Sequence, residues 1–431
     1  MNIYNYEEAF GAADKTTPAM RKAIKEWFRL YYDYTPDNTA DPCQRIAYTV
    51  VNKLVKTVFG EYKVTATTDF EKMTVHALEK LRHRVMQLAL VGGECYLKSF
   101  IQDGIPCFGV IPRNNVLIFA TDADGEPTDI GTVARSNRGK YYYTLLERRT
   151  VDNLGYLQIQ NKLYRALNSQ SLGVQVPLTE LEEYAYLPER YRYETPVGLG
   201  LIRVKTPMLN CVDGSGDGVS IYAAAVGLIH NINENEAQLT GEFRRGESRV
   251  IVSADMLDRD KGLSDHLFVG LDEDPQTVGI TVFSPQLREQ AFLNRKQEYL
   301  RNVESLIGLK RGMLSPVQEQ QKTATEIAST AGDFNLTVIE LQHLWQKTLE
   351  EAVYLSRTLA KLQGYGVTAG QMPTVDWGNG ILYDEDKTWA DYMAMVEAGL
   401  LKPEYALAWR FNLPAETQTQ LQQIREKYMP E

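Results

Sequence analysis

The sequence predicts an elongated α+β subunit, and three observations carry that prediction. The first ninety residues place apolar side chains at helical spacing. Residues 94–187 carry short β-branched and aromatic runs broken by turn pairs. After Thr323 an apolar stripe continues in steps of three or four for 36 residues.

In chain order, Thr17 is placed to cap a helix and Pro18 to fill its first turn, with Ile24, Trp27, Phe28 and Tyr31 on one face. Asp41-Pro42 opens a second helix with the stripe Cys43, Ile46, Ala47, Val50, Val51, Leu54, Val55 and Val58, ending at Gly60. A third runs from Asp69 through Met73, Leu78, Leu81, Val85 and Leu88 to Gly92-Gly93. The turn signals Asp103-Gly104, Asp124-Gly125, Arg138-Gly139 and Asn153-Leu-Gly155 then predict an antiparallel meander. Its many tyrosines, among them Tyr141, Tyr143, Tyr184, Tyr186 and Tyr191, read as half-buried strand faces and subunit contacts rather than base-stacking platforms, because no basic groove accompanies them.

Beyond the loop Asp213-Gly-Ser-Gly-Asp-Gly218, the stripe Ile221, Ala225, Leu228, Ile232, Leu239 and Phe243 predicts a helix. Short strands follow at 249–252, 266–269 and 278–283. Ser284-Pro285 starts a helix with a charged outer surface, including Arg288, Arg295, Arg301 and Glu304, that stops at Gly308. A polar stretch leads to Thr323-Ala-Thr-Glu326, a capping box. The stripe from Ile327 to Leu362 implies about 54 Å of helix. A return strand at 374–377 precedes a helical tail, with helices opened by Pro403 and Pro414.

Composition limits the functions. Of 431 residues, 44% are hydrophobic and 24% charged, which fits a folded chain. Acidic residues number 56 and basic ones 46, a net charge of −10. Gripping DNA by phosphate neutralisation needs a basic field, so contact with nucleic acid is expected to be weak, local or repulsive. The four cysteines form no CxxC pair and read as reduced core thiols. The N-terminal residues form no signal-peptide pattern and no apolar run of about 18 residues occurs. The expectation is an intracellular or particle-borne protein that does not enter a membrane.

No motif for catalysis or metal binding is complete. The loop at 214–218 has Val219 where a dinucleotide fingerprint needs glycine, and no GxxxxGK[ST] exists. Asp122-Ala-Asp-Gly-Glu126 fails as a calcium loop, with Pro127 at the glycine position and Val133 at the bidentate position. His76 and His83 would stand about 10.5 Å apart along one helix, too far to share a zinc ion. His230, His266 and His343 belong to no ligand motif, and Ser215 is not in a nucleophile elbow. Asp272-Glu-Asp274 and Asp384-Glu-Asp386 read as solvated acidic turns. No enzyme activity and no cofactor are expected.

Three short signals stand in a fixed order along the chain: Val91-Gly-Gly-Glu-Cys-Tyr-Leu-Lys98 with Val110-Ile-Pro-Arg-Asn-Asn115, then Thr323-Ala-Thr-Glu-Ile327, then Ala398-Gly-Leu-Leu401 before a terminal helix. With the order of elements, they make the chain resemble the portal proteins of tailed bacteriophages and prophages. The resemblance implies a homo-oligomeric ring, usually of twelve subunits, at one capsid vertex of the virion, assembled in the host cytoplasm. Double-stranded DNA would enter and leave through its channel. Large terminase, a head–tail adaptor and the major capsid or scaffolding protein would be its partners. By position, residues 1–218 and 323–384 form the wing, 219–244 and 284–308 two stem helices, and 245–283 a small α/β clip. Residues 309–322 form the tunnel loop and 385–431 a short crown. On this reading Lys310, Arg311, Gln320, Gln321 and Lys322 face or border the lumen; the plain alternative is an ordinary solvated loop. An acidic wall repels phosphates, so a moving duplex slides rather than sticks. The rival readings are a non-viral helical scaffold or interaction protein, and a nucleic-acid enzyme of the packaging apparatus.

Overall fold

The computed structural model of the protein describes residues 6–32, 43–246, 249–253, 268–271, 281–283, 286–316, 324–368, 370–378, 385–411, 413–415 and 417–429. The N-terminal part is helical: α1 (Tyr6–Phe10), α2 (Pro18–Tyr32), α3 (Ile46–Val58), α4 (Asp69–Glu79) and α5 (Arg82–Gly92), with a short strand β1 (Lys63–Thr65) after α3. Thr17 caps α2 as its sequence predicts, its Oγ1 accepting the Met20 N–H at 3.1 Å.

Two expectations for these N-terminal helices need correction. The helix read from Asp41-Pro42 begins only at Ile46; Asp41 and Pro42 lie outside the described residues. The Gln44 N–H donates to Asn233 Oδ1 at 3.0 Å and Arg45 Nη1 to the Tyr31 carbonyl at 3.2 Å. These tertiary bonds hold Arg45 at φ 57°, outside helical geometry. The helix read from Asp69 to Gly92 is two. A capping box between Thr68 and Glu71 starts α4, and the Leu81 N–H closes its end by bonding back three residues to the Leu78 carbonyl at 2.9 Å. Met73, expected on the buried stripe, is exposed.

The predicted meander is present but divides into two sheets. Strands β2 (Glu94–Gln102) and β3 (Ile105–Pro112) form a hairpin turned at Asp103-Gly104, both with positive φ. A single turn of 3-10 helix at Arg113–Asn115 then redirects the chain. The second sheet contains β4 (Val116–Thr121), β5 (Pro127–Arg138), β6 (Tyr141–Val151), β7 (Leu157–Ala166), β8 (Val174–Val176) and β9 (Arg190–Arg192). They are ordered β4-β5-β6-β7-β8, with β9 pairing β7 further along the same edge. Strand β10 (Leu201–Lys205) returns to the first sheet, giving the order β10-β2-β3. Tyr143 packs with Leu145, Leu163, Leu178 and Leu181 as a strand-face residue, whereas Tyr186 is exposed.

The next α-helix, α6, spans Val226–Arg245 rather than starting near 219. Residues before it are committed elsewhere: the Ile221 N–H and Ser220 Oγ both donate to the Leu90 carbonyl, and the Tyr222 hydroxyl to that of Trp27. Strands β11 (Arg249–Ser253), β12 (Phe268–Leu271) and β13 (Thr281–Phe283) form a sheet of order β12-β11-β13, parallel on one side and antiparallel on the other. Helix α7 is Glu289–Ile307, five residues later than read; Ser284 and Pro285 lie outside the described residues.

Helix α8 (Ala324–Leu362) has 39 residues, about 58 Å. Phe334, Val338, Leu341, Trp345, Leu349, Ala352, Leu355 and Leu359 on the predicted stripe are buried. They share one core with α2, α3, α5, α6 and α7. Strand β14 (Thr374–Asp376) pairs with β1 and ties the chain after α8 to the N-terminal helices. The tail is α9 (Glu385–Glu397), α10 (Pro403–Arg410) and α11 (Gln418–Tyr428); Thr417, not Pro414, caps the last. All four cysteines are free, but only Cys95 is buried and Cys211 is exposed, which corrects the core-thiol expectation. Among the described residues, no helix is long and apolar enough to cross a membrane.

Candidate DNA-channel loop

Helices α6 and α7 run antiparallel. Arg288 grips Glu242 with two bonds at 3.0 and 2.8 Å, Lys296 pairs with Glu236 at 2.8 Å, and the buried Asn235 donates to the Phe292 carbonyl at 3.2 Å. The strands β11–β13 lie in the sequence between the two helices, and the candidate loop leaves the opposite end of α7.

That loop begins as a built turn. Gly308 takes φ +73° and the Leu309 N–H returns to the Glu304 carbonyl at 2.8 Å, the usual left-handed helix stop. The Glu304 side chain organises the residues after that stop. Its Oε1 accepts the N–H groups of Gly312 (3.2 Å), Leu314 (2.5 Å) and Ser315 (2.9 Å), and its Oε2 the Ser315 hydroxyl (2.8 Å). Gly312, at φ +94°, supplies a backbone shape that few side chains allow. Lys53 on α3 donates to the Met313 carbonyl. The turn is thus moored on both flanks, and Lys310 and Arg311 are carried at its exposed crest. Neither has an ion-pair partner among the described residues. Gln320, Gln321 and Lys322 lie outside the described residues, so only the first two of the five candidate residues have a place in the structure.

Sequence reasoning placed Glu304 on the charged outer face of its helix; it is fully buried. A signal was available. A carboxylate in the last turn of a helix meets the negative end of the dipole, so it needs N–H partners from beyond the helix.

The other candidates resolve differently. The residues of the 122–126 loop form a hairpin turn in which Asp122 Oδ1 accepts the Asp124 and Glu126 N–H groups. The 213–218 loop is filled by its own carboxylates and by Asn210, while the Gly216 carbonyl accepts from Arg203 and Lys205. It offers no cradle for phosphate. Its last glycine has a packing role: a Cβ on Gly218 would lie 2.4 Å from the Gly93 carbonyl oxygen. Asp272-Glu-Asp274 and Asp384 lie outside the described residues. Among the described residues no group of three or more His, Cys, Asp or Glu side chains could hold a metal ion.

A second buried network was not foreseen. Glu94 is fully buried between Arg113 (2.8 Å) and Arg203 (2.5 Å), with the Tyr96 hydroxyl at 3.2 Å. Burial opposes its ionisation, but the two guanidinium groups hold it below the usual carboxylate range. Glu94 and Arg113 belong to two of the four sequence segments that carried the family resemblance, and this ion pair joins them. Neighbouring Glu147 repeats the device. Burial raises its pKa, and Arg149 and Lys98 overcome that to bring it to about 2. Both clusters are structural: every cation in them already has a carboxylate.

A family model for phage portal proteins of the SPP1 Gp6-like type matches residues 46–430, so the chain belongs to that family. The family is structural rather than enzymatic and contributes to the phage capsid. A solved structure described as "Neck of native GTA particle computed with C12 symmetry" contains a chain of similar fold. Identity is 13%, the TM-score 0.52, and the match covers 95% of this chain and 98% of that one. No curated protein matches the sequence.

Proposed function

We propose that this chain is the portal vertex protein of a phage or prophage capsid, assembling into a ring through which double-stranded DNA is packaged and later ejected. The family match over residues 46–430 is the observation that carries this reading. The fold neighbour belongs to a particle neck treated with twelve-fold symmetry, which supports a dodecamer. In this assignment residues 1–218 and 323–384 are the wing, 219–244 and 284–308 the stem, 245–283 the clip, 309–322 the tunnel loop and 385–431 the crown. The clip would dock large terminase during packaging and the head–tail adaptor afterwards, while the capsid or scaffolding protein meets the outer ring.

The moored turn after α7 supports the tunnel-loop role. It presents two cations that have no ion-pair partner among the described residues, on a chain whose net charge is −10. Such an arrangement guides phosphates at a few points without binding them along a surface. Electron microscopy of the purified full-length protein tests the ring: closed rings with a hole wide enough for a duplex are expected, and monomers or open arrays would refute it. Deleting residues 310–322 tests the loop. Packaging or retention of DNA should fail, and unchanged packaging would leave the segment an ordinary surface loop.

A further inference from the structure

The six-stranded sheet has two unlike edges. At the β4 edge, the chain covers itself: the Lys15 N–H donates to the Ile118 carbonyl at 2.7 Å, and Asp14 Oδ1 accepts the Ile118 N–H at 3.1 Å. Among the described residues, no strand pairs with the outer side of β9. The Asn161 N–H bonds to the Glu189 carbonyl and the Tyr193 N–H to that of Leu157, both at 2.9 Å. By alternation, Arg190 and Arg192 turn their main-chain groups away from β7. All three β9 residues are exposed. An open strand edge of this kind is a template for another chain.

The edge is also basic. Arg148, Gln160 and Arg190 stand in register across β6, β7 and β9, as do Thr150, Gln158 and Arg192 in the next row. A groove of about 560 Å³ runs over these six residues. Asp129 neutralises Arg148 and Asp152 neutralises Arg192, but Arg190 has no ion-pair partner among the described residues. The complementary charge lies at the other edge. The β4–β5 hairpin exposes Asp122, Asp124 and Glu126, and among the described residues only Glu126 has a cation, Arg203 at 3.1 Å. Four strand spacings of about 4.8 Å separate β4 from β9, about 19 Å, so one copy cannot join its own two edges.

We propose that the β9 edge is a contact between copies of this chain, in which the 122–126 hairpin of the next copy docks against Arg190 and Arg192. The inference rests on the ring reading above and names a surface pair for it. Opposite edges of one sheet make a heterologous contact, the type that closes into a ring when its rotation allows. A polyanion such as DNA fits the edge less well, because Asp129 and Asp152 already stand among the arginines.

The test uses full-length protein observed by electron microscopy and sedimentation at low salt, with circular dichroism to confirm folding. Arg190→Glu with Arg192→Glu should leave folded protein that sediments as monomers or incomplete rings. Asp122→Lys with Asp124→Lys should do the same, and combining all four changes should restore rings. If wild-type protein forms rings and either charge-reversed variant forms them equally well, this contact is wrong while the ring stands. Folded but unassembled fourfold variant would also overturn it. A wild-type protein that stays monomeric removes both the ring and the contact.

Discussion

Glu304 shows how much one side chain can fix. Glu304→Ala removes the carboxylate and leaves the N–H groups of Gly312, Leu314 and Ser315 without that acceptor. Losing a hydrogen bond to a charged, buried acceptor costs about 1.5–3 kcal/mol. The expected result is a lowered denaturation midpoint together with faster amide exchange at Gly312, Leu314 and Ser315; unchanged exchange would mean the turn is held otherwise. Glu147 gives a pH signature. Its folded pKa of about 2 is depressed from the ordinary 4.5, so its contribution is complete above about pH 4.5 and disappears as pH falls toward 2. Thermal melts of the wild type and Glu147→Gln should differ at neutral pH and converge across that window.

At the scale of elements, the crossing of residues 93 and 218 admits no side chain. A Cβ on Gly93 would sit 2.2 Å from the Gly218 carbonyl oxygen, and Gly93 has φ +82°. Gly93→Ala therefore combines overlap with backbone strain, and a loss of about 1–3 kcal/mol or more is expected in urea titration. Trp345→Ala, at the fully buried centre of α8, should cost about 3–5 kcal/mol. The sequence made α8 legible because its stripe never breaks period, and four hairpins legible because Asp103-Gly104, Asp124-Gly125, Arg138-Gly139 and Asn153-Leu-Gly155 mark their turns. It misplaced the starts of α3, α6 and α7, where long-range bonds such as Tyr222 to Trp27 decide where a helix begins. It also hid Glu94, Glu147 and Glu304, since a buried carboxylate and a solvated one look alike in one dimension. Of the candidate loop, its boundary at Gly308 and its two cations were readable; the carboxylate that shapes it was not.

Over the whole molecule, large apolar side chains stand uncovered on several elements. Leu209 is 92% exposed, Leu400 81%, Tyr354 66% and Leu336 61%. In a ring many of these would be covered by neighbours, which would make stability depend on assembly. The melting temperature should then rise with protein concentration, and calorimetry across a hundredfold range would check it; a constant value would indicate a subunit stable alone.

The moored turn has a mechanical consequence. Lys310 and Arg311 stand between two attachments to one residue of α7: the Leu309 N–H on the Glu304 carbonyl before them, and the bonds from Gly312, Leu314 and Ser315 to the Glu304 carboxylate after them. A push on the crest is therefore passed to that helix instead of being taken up by slack chain.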